Sequence, residues 1–107
     1  RGLVLVHGDT ARYARMLALL VDGHARDATR LTEGLAANDL ETVERLAHTL
    51  KGSAGNVGAL WVAQAAATLQ TAIRSQAVHE EVDTCCHALV AELERLIEMI
   101  EAALRGQ

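Results

Sequence analysis

The sequence predicts an all-α fold, an antiparallel up-down four-helix bundle preceded by a short N-terminal extension. Three observations carry that expectation. None of the 107 residues is proline. Aromatics make up only 2%, Tyr13 and Trp61 with no phenylalanine, so alanine and leucine supply much of the 50% apolar fraction. Such small and straight-chain residues favour helix, whereas sandwiches and barrels draw on β-branched and aromatic residues and on turn prolines. Apolar residues also recur at steps of three and four, as one face of a helix requires. Residues 1–107 read as a single domain with one core.

The first helix is expected from Asp9 or Thr10 to Ala37. Tyr13, Leu17, Leu20, His24, Ala28, Leu31 and Leu35 form its stripe, and Gly23 inside it marks a bend or a break. Asn38 and Asp39 supply a turn and an N-cap, with Glu41 three residues after Asn38 as a capping-box partner. The second helix carries Val43, Leu46, Ala47, Leu50, Ala54 and Val57 on one stripe. Gly58 follows where a helix-ending left-handed residue is expected. A third helix, from Ala59 to Arg74, presents Val62, Ala66, Leu69 and Ile73, and Ser75 to His79 reads as a loop. In the last helix Val82, Cys86, Leu89, Leu93, Leu96, Ile100 and Ala103 alternate steps of four and three, a heptad-like seam. Short connections predict antiparallel neighbours. The leading run Leu3 to Val6 is apolar but short, and is expected to pack over one end of the bundle.

Charge excludes several partners. The net charge is -4 and the pI near 5.7, with arginines scattered along the chain. That leaves no electrostatic footprint for nucleic acid or an anionic membrane. No apolar run is long enough for a membrane span and no signal-peptide pattern opens the chain, so a cytoplasmic protein without direct membrane contact is expected. The chain starts at Arg1 rather than methionine, which reads as a segment cut from a longer protein. Cys85 and Cys86 are adjacent and point about 100° apart on a helix, so they do not readily bridge each other. They read as thiols of a reducing compartment.

Five histidines raise the question of a site: His7, His24, His48, His79 and His87. His24 lies on an apolar stripe and reads as a core-edge residue with a hydrogen-bond partner. His7, His79 and His87 lie near helix ends or on mixed faces. A metal site needs three or four convergent ligands, and neither Glu44 with His48 nor His79-Glu80-Glu81 has di-iron or zinc spacing. No metal site is expected.

His48 differs. Counting about 100° per residue from Leu50, it falls near 160°, roughly opposite the apolar stripe. On this solvent face Gly52 and Gly55 follow at i+4 and i+7. A mid-helix glycine costs on the order of 1 kcal/mol relative to alanine, so two of them beside one exposed histidine call for a reason. Either a neighbouring element approaches closely, or the helix ends early, or something bulky must reach the imidazole. Nine of the ten basic residues are arginine; the one lysine, Lys51, stands a turn from His48. A neutral imidazole is a competent nucleophile, and an ammonium on a flexible stem can follow an anion. A nucleophile, charge compensation and cleared space are what a transient phosphohistidine requires.

The stretch Ala47-His48-Thr49-Leu50-Lys51-Gly52-Ser53-Ala54-Gly55-Asn56-Val57-Gly58-Ala59 resembles the signature of histidine-containing phosphotransfer (HPt) domains of multistep phosphorelays. The pattern there is roughly H-x-L-K-G, a short spacer, then G-A. The likeness extends through most of residues 2–75, while the last helix matches only in pattern. It implies that His48 accepts the phosphoryl group on its outward ring nitrogen, with Lys51 near the phosphate and Gly52 leaving room. It implies that Gln70, often glutamate in relatives, orients the imidazole. By helix geometry Gln70 lies at the edge of its apolar stripe, where it can face the neighbouring helix.

The resemblance also implies a phosphocarrier rather than an enzyme. Such a domain would take a phosphoryl group from a receiver-domain aspartate and pass it to another response-regulator receiver. The Mg²⁺ would sit on the receiver, and this chain would need no cofactor. The docking surface would surround His48, with Glu44, Gly52, Gly55 and part of the first helix. A monomer is expected, within a hybrid sensor histidine kinase in preference to a chemotaxis kinase. Two other readings stand beside it: a module that docks receivers without phosphotransfer, and a module that dimerises through the last helix.

Overall fold

The computed structural model describes residues 10–106, and among these every regular element is a helix. They are α1 (Thr10–His24), α2 (Asp27–Ala36), α3 (Leu40–Asn56), α4 (Leu60–Arg74) and α5 (His79–Arg105). α3 and α4 pack side by side, α5 lies against α4, α2 and α1, and α1 and α2 also touch α3. The result is a helical bundle of about 43 × 21 × 20 Å. Among the described residues, no helix is long and apolar enough to cross a membrane. The apolar run Leu3 to Val6 and His7 lie outside the described residues.

The expected first helix is two. α1 ends at His24, just past Gly23, and α2 starts at Asp27. A Cβ at Gly23 would meet nothing within 4 Å, so that glycine weakens the helix without being needed for packing. The junction is stitched by side chains. His24 Nδ1 and Asp27 Oδ2 lie 2.6 Å apart, both residues are buried, and Arg30 approaches the other Asp27 oxygen at 3.5 Å. His24 is thus the partnered core-edge residue its position suggested.

Three helices end alike. After α2, α3 and α4, a left-handed residue follows the C-cap: Asn38 (φ 56), Gly58 (φ 79) and Gln76 (φ 57). The next amide in each case bonds back to a carbonyl in the last turn, Asp39 to Gly34 (2.8 Å), Ala59 to Ala54 (2.9 Å) and Ala77 to Ala72 (2.9 Å). This is the Schellman arrangement, which satisfies the orphan carbonyls of a helix end. The capping box expected from Asn38 and Glu41 does not form, because Asn38 is spent in that turn. Asp39 is the N-cap of α3, and its carboxylate accepts from the Thr42 amide. The Thr42 side chain, and then its amide, hold the Asp39 carboxyl below its ordinary range.

The core comes from the predicted stripes. Leu31, Val43, Val62, Leu69, Cys86, Leu89, Leu93, Leu96 and Ile100 are fully buried. Three expectations fail at the margins: Ala103 is exposed, and Ala28 and Ile73 are only half-buried. The Ser75 to His79 loop is one residue shorter, since His79 opens α5. The Tyr13 hydroxyl donates to the carbonyl of Val57 at 2.9 Å, which ties α1 to the end of α3.

Candidate functional site

α3 buries Val43, Leu46, Ala47, Leu50 and Ala54 against the bundle, so its periodicity turns His48 outward and the residue is exposed. The ring is nevertheless held. Gln70 on α4 is buried, and its Nε2 lies 3.2 Å from His48 Nδ1. In this arrangement the Gln70 amide donates to Nδ1, and the ring proton of a neutral imidazole sits on the outward Nε2. Gln70 sits where the edge of its stripe pointed.

A second rung lies beside the first. Arg74 Nε donates to Glu44 Oε2 at 2.9 Å, one turn before His48 on α3 and one turn after Gln70 on α4. Positions that fall along α3 therefore pair with positions that rise along α4. Glu44 is half-buried and charge-compensated within the chain, whereas Lys51 is exposed and makes no ion pair among the described residues. Sequence reasoning missed Arg74. Its spacing of four from Gln70 puts it on the same flank of α4, a signal that becomes visible only once Gln70 is paired with His48.

Among the described residues, two of the readings of these glycines fall away. α3 runs on to Asn56, so the helix does not end early. A Cβ on Gly52 or Gly55 would meet nothing within 4 Å, so neither admits a neighbouring element among the described residues. Both lie exposed on the His48 side. Gly34 is the contrast: its Cβ would stand 2.9 Å from Val43 Cγ2, and it is the glycine that lets α2 approach α3. Beyond Gly52 and Gly55 a shallow groove between α1 and α3 is lined by Met16, Leu19, Leu20, Ser53 and Asn56. Leu19 there is 71% exposed.

The remaining titratable groups do not converge. No group of three or more His, Cys, Asp or Glu residues is arranged to hold a metal ion among the described residues. His87 only approaches Asp83, at 3.6 Å, on its own helix. The chemistry this surface offers is one exposed imidazole nitrogen, oriented from behind, with an unpaired ammonium a turn away and open space alongside.

Comparison with known proteins points the same way. A family model described as Hpt domain matches residues 15–106. No curated protein and no solved structure matches the chain.

Proposed function

Because the chain belongs to the Hpt domain family, we propose that it is a phosphorelay intermediate in which His48 takes a phosphoryl group from one receiver domain and hands it to another. Hpt domains are phosphocarriers that work with response-regulator receivers. The observation that carries the assignment to His48 is its ring, exposed on one side and fixed at Nδ1 by buried Gln70 on the other. The reading takes the domain as a cytoplasmic monomer with its rods in up-down antiparallel order, α1 and α2 forming the first. The falling and rising positions of the α3–α4 rungs support that order.

Attack by Nε2 needs its lone pair, so the ring proton must move to Nδ1. Gln70 can follow by turning its amide, so that Oε1 accepts from Nδ1–H where Nε2–H had donated. The N–P bond then forms as the P–O bond of the receiver's aspartyl phosphate breaks and the carboxylate leaves. The receiver brings its own Mg²⁺, and the chain here supplies the nucleophile and Lys51, which meets charge on the phosphoryl oxygens. Both phosphorylated species are high-energy donors, so the transfer runs in either direction. Docking would use the face around His48: Gly52, Gly55, the Glu44 rim and the α1 groove.

The seam that a dimer would use is spent inside the bundle, with Val82, Cys86, Leu89, Leu93, Leu96 and Ile100 all buried. Incubation with a phosphorylated receiver should give acid-labile, base-stable phosphate on the domain and none on His48→Gln. Intact transfer in that variant overturns the assignment, and receiver binding without transfer in the native domain leaves only a docking module. Lys51→Ala should slow transfer by about tenfold with the fold unchanged.

A further inference from the structure

Resting on the phosphocarrier reading, we propose that Arg45 is a second cation of the phosphoryl site, meeting the phosphate on His48 from the side opposite Lys51. Arg45 precedes His48 by three residues and Lys51 follows it by three. At about 100° per residue the two flank the histidine at roughly 60° on either side. Neighbours at this spacing have Cβ atoms about 5–6 Å apart, within reach of a long side chain.

Direction matters as much as distance. Helical side chains lean toward the N-terminus, so the imidazole covers the turn that holds Glu44 and Arg45, while Lys51 leans back toward the ring. A phosphoryl group on the outward Nε2 therefore comes to lie nearer Arg45 than the helical wheel alone suggests.

The charges around the ring are arranged accordingly. From α3 these are Arg45, Glu44 and Lys51, and from α4 Arg74 beside the neutral Gln70. Glu44, the acid on the turn under the ring, is held by Arg74 at 2.9 Å. Arg45 is exposed, and among the described residues its guanidinium has no hydrogen bond or ion pair, although Glu41 stands four residues before it. Its charge reaches Asp39 only as the smallest influence on that carboxyl. The acid is thus neutralised across the helices while two unpaired cations bracket the nucleophile. They are not duplicates: a guanidinium presents a planar fork to two phosphate oxygens, an ammonium a mobile point charge.

Phosphoramidate separates phosphate contact from receiver docking, because it donates without a partner protein. The Nε2 lone pair forms the N–P bond as the donor's P–N bond breaks and ammonia leaves. Phosphohistidine formation should slow by about tenfold in Arg45→Ala with phosphoramidate and with a phosphorylated receiver alike. Arg45→Lys should recover part of the rate, and the melting temperature should stay at the native value. In the native domain the Arg45 side-chain N–H resonance should shift on phosphorylation. Native rates in Arg45→Ala with both donors overturn the proposal, and so does slowing with the receiver alone, which assigns Arg45 to docking. If native His48 takes phosphate from neither donor, the phosphocarrier reading falls and Arg45's role with it.

Discussion

Gln70 and Cys86 show what burial does to single side chains here. Gln70 is 4% exposed, yet it spends its amide on a ring that stands in solvent. An amide can serve either tautomer of a neutral imidazole, whereas a carboxylate accepts only from Nδ1–H and favours the charged ring more strongly. The outward aim of His48 and the edge position of Gln70 were legible from helical periodicity alone. Asp27, Arg74 and Arg45 were not, because what singles each out is a partner, or the lack of one, that folding decides. Cys86 was legible as a seam residue, and its chemistry follows from that. Burial pushes its thiol up to about 11, while Cys85 next to it is only half-buried. Iodoacetamide at pH 8 should therefore alkylate Cys85 and spare Cys86 until the protein is unfolded, as peptide mass spectrometry would report.

Among the elements, the helices were easier to read than their ends. Gly58 announced its left-handed turn, but Asn38 looked equally fit for a cap, and Gln76 carries no signal for positive φ at all. Glutamine adopts that conformation because the Schellman bonds of α4 enforce it. The α1–α2 break was half visible: Gly23 hinted at it, while the His24–Asp27 contact that organises it depends on the burial of both residues. Glycines likewise divide by surroundings invisible in one dimension. Gly34→Ala forces a methyl onto Val43 and should cost about 1–2 kcal/mol net of its gain in helix propensity. Gly52→Ala meets nothing and should stabilise by about 0.5–1 kcal/mol. Chemical denaturation of the two variants measures both, and equal shifts of the same sign would contradict the packing contrast.

For the molecule as a whole, α5 sets the length. Its 27 residues span about 40 Å, nearly the full 43 Å axis, and its seam is buried against the other rods from Val82 to Ile100. An all-helical bundle was legible because an Ala/Leu composition without proline leaves few other ways to bury the stripes. The same core predicts an alkaline weakness. Cys86 titrates near 9.0 when exposed and about 11 in the fold, and burial also raises the Tyr13 hydroxyl. The unfolded chain thus releases protons that the native state keeps, and stability complete below pH 9 is lost as pH rises through 11. The melting temperature should fall over that interval, and less steeply in Cys86→Ala once its lower starting value is subtracted. At the other extreme of burial stands His48, with one nitrogen taken by Gln70 and one left facing outward. Under the phosphorelay reading such a carrier is a single berth. Donor and acceptor must queue for it, an excess of the idle acceptor blocks loading, and throughput peaks where the two are in balance.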